Sequence, residues 1–330
     1  MIALKTIDAH AAGEPLRLVI EGYPSPRGST MLEKREWLRK NADHLRRALM
    51  LEPRGHADMY GALLTEPVAP GSHAGVLFMH NEGYSTMCGH GVIAVTTIAL
   101  ERGLVMPGGD GAAVVYDAPA GTIRARAKMA QGHVQSVSFV NVPSFVLHGG
   151  LAVKIGSRTL RADVAFGGAF YAIVDCEAVG LPIDPAHLPQ LRGAGMEIKR
   201  AIETAHSIAH PLEPGLHGIY GTIFTGPPRD DRADLRNVTI FADAEVDRSP
   251  CGTGTAAVMA VLDQMGLLVE EKPFVHESLI GTHFNGRVVG RSVVGEYPAI
   301  VSEIEGSAWI TGEHTFLVDE ADPLREGFRV

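Results

Sequence analysis

The sequence predicts an α+β fold made of two sheet-rich domains, each wrapped around one central apolar helix. The first observation is an internal repeat, because the octapeptide CGHGVIAV at Cys88 is followed 163 positions later by CGTGTAAV at Cys251. The second is a series of short β-branched or alternating segments between Gly, Pro and Asn clusters, which is typical of strands and turns. The third is a pair of segments, Val92–Arg102 and Thr255–Met265. Both lack Pro and Gly, are largely apolar on all sides and end before a glycine. Such segments predict buried helices.

Two further blocks of the repeat follow the same order along the chain. Met59–Thr65 resembles Ile219–Thr225 at an offset of 160 positions. A weaker block, at an offset of 155 positions, consists of Asp8, Gly13 and Val19 against Asp163, Gly168 and Val174. The drift of only a few positions predicts a duplicated unit related by pseudo-symmetry. We therefore expect domains at residues 1–155 and 156–330, with the C-terminal tail able to return to the first half.

The remaining elements follow from local pattern. Six segments share the strand pattern: Leu16–Glu21, Ala112–Asp117, Gln135–Val140, Ala169–Val174, Val238–Ala242 and Ala299–Ile304. Two further helices are predicted, one from Met31 to Leu51 with a charged exposed face and one from Leu191 to His206.

Composition narrows the class of function. The 330 residues contain 29 Lys plus Arg and 38 Asp plus Glu, for a formal charge of −9, which argues against nucleic acid or anionic membrane as a partner. A hydrophobic content of 45% with 20% charged residues excludes wholesale disorder. The N-terminus shows no secretory pattern, and the apolar run Gly91–Leu100 is too short to span a membrane. We expect a soluble cytoplasmic protein that acts on a small molecule, with a homodimer as a possible assembly.

Three cysteines are too few for a disulfide framework, and two of them occupy special positions. Cys88 and Cys251 each lie in a Gly-rich turn just before a helix, where N–H groups and the helix dipole stabilise a thiolate and bind an anion. We expect pseudo-symmetry to bring the two helix starts together, so that both thiols face one ligand. Two acid–base groups on opposite faces of a carbon are what racemisation requires. Cys176 lies in an apolar run and is interpreted as structural.

The two cysteine motifs resemble a known family. Met87–Gly91 and Asp247–Thr255 are similar to the two signature motifs of the proline racemase family, which also contains 4-hydroxyproline 2-epimerases and trans-3-hydroxy-L-proline dehydratases. The resemblance extends from Asp8-Ala9-His10 through Arg54–Gly61 to Asp322-Pro323-Leu324. It implies the fold of the diaminopimelate epimerases and a chemistry that needs no cofactor.

The resemblance also implies roles for individual residues. Cys88 and Cys251 would be the two catalytic bases. The substrate carboxylate would lie on backbone N–H groups around Gly89, Gly252 and Thr253.

Four more side chains would complete the substrate site. His90 and Asp247 would hold the ring nitrogen, since a carboxylate suits a secondary ammonium. Tyr60 and Phe241 would line the pocket with aromatic rings. Considered alone, His90 could be a helix-turn residue, Asp247 could cap the turn before Pro250, and both aromatic residues could belong to the core.

Departures from the family pattern bear on the substrate. Tyr60 stands where a proline racemase commonly has Phe, and its hydroxyl could meet a ring hydroxyl or point to water. Leu77–Tyr84 and Tyr220–Ile223 look more like the dehydratase branch, in which the second cysteine is typically Thr. Because Cys251 is retained, we predict two-base inversion of 4-hydroxyproline or proline. The alternative is dehydration of trans-3-hydroxy-L-proline, which Cys88 alone could start.

Other classes explain less of the pattern. A zinc site of Cys88, His90, Asp247 and Cys251 has suitable ligand types but lacks a CxxC pair. A phosphate loop would need a lysine, which Cys-Gly-Thr-Gly-Thr lacks. A Cys–His hydrolase leaves the second cysteine unexplained, and a non-catalytic imino-acid binding protein would need neither thiol. We expect no metal and no cofactor.

Overall fold

Strands make up most of the regular structure. In a computed structural model, residues 1–106, 112–269 and 272–329 are described, and they contain 18 strands and six α-helices. The strands are β1 (Ile2–Ala11), β2 (Glu14–Glu21), β3 (Tyr60–Thr65), β4 (Ala74–His80), β5 (Tyr84–Ser85), β6 (Ala113–Ala118), β7 (Gly121–Ala130), β8 (His133–Val140), β9 (Ser144–Ile155), β10 (Arg158–Phe166), β11 (Phe170–Asp175), β12 (Ile219–Gly226), β13 (Leu235–Phe241), β14 (Glu245–Asp247), β15 (Phe274–Glu277), β16 (His283–Val294), β17 (Tyr297–Gly306) and β18 (Ala308–Val318). The helices are α1 (Met31–Asn41), α2 (Asp43–Met50), α3 (Gly89–Glu101), α4 (Cys176–Val179), α5 (Leu188–Ala205) and α6 (Gly252–Gln264).

The chain divides into two compact units. The first comprises Met1–Phe139 with Ser307–Val330, and the second comprises Val140–Gly306. This division differs from the predicted boundary near residue 155. The physical reason is strand pairing: β9 pairs antiparallel with β10 and so belongs to the second unit, whereas β18 pairs antiparallel with β1 in the first.

The two units repeat the same strand topology, as the duplicated sequence predicts. In the first unit β1–β2 and β3–β4 are antiparallel, β2–β3 and β4–β6 are parallel, and β6–β7 is antiparallel. In the second unit β10–β11 and β12–β13 are antiparallel, β11–β12 and β13–β15 are parallel, and β15–β16 is antiparallel. Within the second unit, β17 pairs with both β16 and β9, which closes the strands into a ring.

A buried apolar helix fills each unit. Helix α3 packs against β1, β2, β3, β7 and β18, and α6 packs against β9, β10, β11, β16 and β17. The residues of α3 are buried from Gly89 to Ala99, and those of α6 from Gly252 to Val261. Neither stretch contains Asp, Glu, Lys or Arg, so its burial removes no such charge from water. The prediction of an α+β fold with a central helix in each half is confirmed.

The helix predicted from Met31 to Leu51 is wrong as a single element. It consists of α1 and α2, which meet at Ala42, whose φ of −135° and ψ of 14° are not helical. The Ala42 carbonyl accepts hydrogen bonds from the N–H groups at the start of α2 and from the Tyr23 hydroxyl at 3.2 Å. Asn41 donates its side-chain amide to the carbonyl of Trp37, which also favours a helix end.

The other predicted elements are present with shifted ends. Both central helices begin three residues earlier than predicted, at Gly89 and Gly252, and the helix predicted from Leu191 begins at Leu188. Among the described residues, no helix has the length and apolar character needed to cross a membrane.

Candidate active site

Cys88 is the N-cap of α3 in the first unit. Its backbone is extended, with φ of −147° and ψ of 115°, and its Sγ accepts the N–H of Gly91 at 3.2 Å. His90 Nδ1 lies 3.2 Å from the same sulfur. A Cβ at position 91 would lie 2.9 Å from this Sγ and 2.5 Å from Cε1 of Phe78, so only glycine leaves the sulfur in place. The turn therefore holds Cys88 between a backbone donor and an imidazole, a setting that stabilises a thiolate.

Tyr60 lies beside His90 in the same unit. The two rings meet edge to face with centroids 4.8 Å apart, and Tyr60 also stacks on His80 at 5.7 Å. Its hydroxyl is 2.5 Å from Oγ of Ser85. The sequence leaves two partners open for this hydroxyl, a hydroxyl on the substrate ring or water. The structure shows a third, because Ser85 of the protein hydrogen-bonds to it.

Cys251 is the N-cap of α6 in the second unit, and its backbone differs from that of Cys88. Its φ of +61° with ψ of 104° is rare for a residue with a Cβ and stores strain. Its Sγ accepts the N–H of Gly254 at 3.3 Å. The preceding Pro250 carbonyl accepts the Asn237 amide at 2.7 Å and the Thr255 hydroxyl at 3.2 Å. These buried bonds hold the turn in its strained conformation.

Asp247 ends the strand before this turn and is 4% exposed. Its Oδ1 accepts the N–H of Ser249 at 2.8 Å and the Ser249 hydroxyl at 2.7 Å, so it does cap the turn. Burial raises the pKa of the carboxyl to about 6. Burial, and then the charge of Asp247, raise the pKa of Cys251 to about 12. At neutral pH, Asp247 is therefore a carboxylate and Cys251 a thiol.

Thr253 follows in the first turn of α6 and contacts a residue that sequence reasoning missed. The Tyr171 hydroxyl lies 2.6 Å from Oγ1 of Thr253, and the thiol of Cys251 donates to the same Tyr171 oxygen at 3.6 Å. Tyr220 meets Tyr171 edge to face at 5.8 Å and stacks on Phe241 at 5.4 Å. Tyr171 lies on β11, 80 positions before Cys251, and the local sequence carries no signal that it contacts the cysteine.

The structure groups the predicted site residues by unit. The first unit contains Cys88, Gly89, His90 and Tyr60, and the second contains Cys251, Gly252, Thr253, Asp247 and Phe241. Their roles in catalysis and binding stay predictions. In the described part of the chain, no group of three or more His, Cys, Asp or Glu side chains has a geometry suited to a metal ion. Cys176 is the first residue of α4. It is buried and forms no disulfide, and burial raises the pKa of its thiol.

The chain matches known proteins over nearly its whole length. The family model described as proline racemase matches residues 6–329. A trans-3-hydroxy-L-proline dehydratase from Bacillus thuringiensis subsp. konkukian is 49% identical over 323 residues, which are 98% of this chain and 97% of the relative. A 3-hydroxyproline 2-epimerase from Burkholderia multivorans is 47% identical over 329 residues, 99% of this chain and 98% of the relative.

A solved structure supports the same assignment. The hydroxyproline epimerase from Agrobacterium vitis, with bound trans-4-hydroxy-L-proline, aligns with a TM-score of 0.92 at 31% identity, and the alignment covers 100% of this chain and 97% of that one. This likeness confirms the fold that the motif resemblance implied. With its duplicated topology and a cysteine at the start of each central helix, the chain is an enzyme that belongs to the proline racemase family.

Proposed function

We propose that the enzyme inverts the α-carbon of a proline-type imino acid, with Cys88 and Cys251 as the two acid–base groups. The observation that carries this proposal is that both cysteines are N-caps of buried helices. Each Sγ accepts a backbone N–H from the first turn of its helix, at 3.2 Å in one unit and 3.3 Å in the other. A non-catalytic binding protein would need neither sulfur in such a position.

In the proposed reaction, one thiolate removes the α-proton and the other thiol delivers a proton to the opposite face of the carbanion. The roles are exchanged for the product as substrate. With its pKa near 12, Cys251 rests as the thiol, so in the direction that starts from this state Cys88 is the base. His90 Nδ1, 3.2 Å from Cys88 Sγ, favours this thiolate wherever that nitrogen carries a proton.

The α-hydrogen of an amino acid is weakly acidic, so the site must stabilise the carbanion's charge. The first N–H groups of a helix have no intrahelical partner, and they favour a carboxylate together with the helix dipole. We assign this role to the backbone of Gly89, Gly252 and Thr253. Asp247, with a pKa near 6, is ionised above that pH and suits the secondary ammonium of the substrate.

The favoured ring carries a hydroxyl. Support comes from the relatives, of which one is named a 3-hydroxyproline 2-epimerase and the solved one a hydroxyproline epimerase with trans-4-hydroxy-L-proline bound. The sequence favours proline and 4-hydroxyproline as substrates, and the name of the Burkholderia multivorans relative adds 3-hydroxyproline as a third candidate. The second candidate function is dehydration of trans-3-hydroxy-L-proline, because a relative of that name is 49% identical.

Proton NMR with polarimetry in D₂O, in the presence of reductant, tests these functions. The substrates are L-proline, trans-4-hydroxy-L-proline and trans-3-hydroxy-L-proline, each assayed separately. Epimerisation replaces the α-proton by deuterium and produces the D-configured isomer, whereas dehydration consumes the 3-hydroxy substrate and produces an unsaturated ring. Dehydration with no epimerisation of any substrate would overturn the two-base proposal, and no exchange at all would support a binding protein.

A further inference from the structure

The hydroxyl of Tyr171 has one hydrogen and two acceptors within reach. Tyr171 is 1% exposed, and its oxygen is 2.6 Å from Oγ1 of Thr253 and 3.6 Å from Sγ of Cys251. While Cys251 is a thiol, its S–H has the Tyr171 oxygen and the Asp247 carboxylate as acceptors, and the phenol can donate to Thr253. Once Cys251 ionises, the sulfur has lost its hydrogen and becomes an acceptor. A rotation of the phenol O–H then suffices to place a donor on the thiolate.

The other groups that face Cys251 make this donor important. Asp247 contributes a carboxylate, which opposes a second negative charge beside it, and Arg248 acts on that carboxylate rather than on the sulfur. The ring of Tyr220 meets the ring of Tyr171 edge to face, and a negative charge on Tyr220 would oppose ionisation of the Tyr171 hydroxyl. The groups that favour the thiolate are the N–H of Gly254 and the hydroxyls of Tyr171 and Thr253.

The duplicated sequence provides an internal comparison. At the offset of 163 positions, His90 in the first unit stands where Thr253 stands in the second. The first unit thus has an imidazole beside its cysteine sulfur, while the second has two hydroxyls.

We propose that Tyr171 is a positioning residue for Cys251, whose hydroxyl transfers its hydrogen bond from Thr253 to the sulfur when the thiol gives up its proton. Only the S–H bond breaks, and the proton goes to the substrate carbanion. The functional meaning rests on the proposed two-base reaction, but the hydrogen-bond exchange itself does not.

Alkylation of the full-length protein by iodoacetamide tests the exchange without any substrate. Mass spectrometry follows the peptides of Cys88, Cys176 and Cys251 separately at pH 8. Tyr171→Phe should raise the pKa of Cys251 by about one unit, because a hydrogen bond to a charged group is lost. The thiolate fraction then falls about tenfold, and the greater nucleophilicity of the more basic sulfur leaves alkylation about fourfold slower. Cys88, in the other unit, should react within twofold of the parent rate.

Two further variants keep the test decisive. Tyr116→Phe removes another buried hydroxyl, on β6 of the first unit, and should leave the Cys251 rate unchanged. Replacing Tyr171 by 3-fluorotyrosine, a stronger donor of almost the same shape, should speed alkylation of Cys251 about twofold. An unchanged or faster Cys251 in Tyr171→Phe, or a slower one in the fluorotyrosine variant, would overturn the proposal. Absence of epimerase activity would instead overturn the proposed function and leave this result standing.

Discussion

The Cys88 turn and the Cys251 turn derive from one repeated motif, yet they surround sulfur with different chemistry. Cys88 has relaxed extended backbone and an imidazole nitrogen 3.2 Å from Sγ. Cys251 has a strained φ of +61°, a nearby carboxyl and a phenol oxygen 3.6 Å away. Both turns share the backbone bond to Sγ, from Gly91 and from Gly254. Duplication therefore preserved the backbone N–H that each sulfur accepts, while the cysteine backbone and the surrounding side chains diverged, so that the two sulfurs have unequal surroundings.

The largest expected effect comes from removing either sulfur. Cys88→Ser and Cys251→Ser should each lower the rate of epimerisation about a thousandfold, since a serine hydroxyl is a far weaker base than a thiolate and a far weaker acid than a thiol. If the enzyme also dehydrates its substrate, the two variants distinguish the two cysteines. Dehydration should be lost in Cys88→Ser and retained in Cys251→Ser, because that reaction needs only Cys88. Rates of α-proton exchange measured by NMR check this, with Cys176→Ser as the control that retains activity. Full activity in either catalytic variant would contradict the mechanism.

Gly91 and Gly254, whose N–H groups bind the two sulfurs, should differ in how well they tolerate substitution by alanine. Gly91→Ala should lower the free energy of unfolding by about 3 kcal/mol, because its Cβ would meet the fully buried Phe78 ring at 2.5 Å. Gly254→Ala should cost about 1–2 kcal/mol. Its Cβ would meet the Sγ of Cys251 at 2.8 Å and the terminal Cδ1 of Ile223 at 2.9 Å, and both of these side-chain ends can rotate, unlike the Phe78 ring.

Urea denaturation measures both glycine effects. Gly83→Ala is the control, since a Cβ there would meet nothing within 4 Å. Equal stability of the two variants would mean that the turns are packed alike, contrary to the structure.

Asp247→Asn should stabilise the fold at pH 8 by about 2 kcal/mol while weakening substrate binding. The folded pKa of about 6 exceeds the unfolded value of about 4, so the folded protein holds this proton more tightly. Ionisation therefore costs folding free energy above pH 6, and the cost vanishes below about pH 4. The gain in thermal stability should disappear in acid.

Thermal unfolding at pH 8 and pH 4 checks the sign for Asp247. Exposed Asp231→Asn serves as control and should change neither value. The parent enzyme should also lose kcat/KM as pH falls below about 6, whereas the Asn variant should show a raised KM and lack that acid limb. A destabilised Asn variant at pH 8 would contradict the assignment.

The smallest expected effect concerns Tyr60. Because its hydroxyl is bonded to Ser85 at 2.5 Å, Tyr60→Phe should leave the ratio of kcat/KM for 4-hydroxyproline and proline within about threefold of the parent. Steady-state polarimetry with both substrates measures the ratio. A tenfold loss of kcat/KM confined to 4-hydroxyproline would show instead that the Tyr60 hydroxyl binds the hydroxyl of the substrate ring.

Sequence reasoning recovered what repetition and periodicity encode. The repeated Gly-rich motif revealed the two units and both cysteines, and unbroken apolar segments revealed the two central helices. It missed the break at Ala42, because neither Gly nor Pro marks it. It also missed the positive φ of Cys251, next to a Pro250 carbonyl that accepts bonds from Asn237 and Thr255. The contact of Tyr171 with Cys251 was missed as well, because it joins residues 80 positions apart. The carbonyls of Pro250 and Ala42 accept bonds from side chains 13 and 19 positions away, so a local pattern contains little of this information.

Because β18 follows the second unit in the sequence but pairs with β1, the second unit can be completed during synthesis before the first. The second unit is one continuous stretch, Val140–Gly306, and all its strands are available once that stretch has been synthesised. The first unit comes earlier in the chain, and β1 has β2 beside it on one edge but lacks its partner on the other edge until Ala308–Val318 emerges. Until then β1 has an unpaired edge, which is prone to join strands of other chains. On the ribosome, the half that is translated first is therefore the half that is completed last.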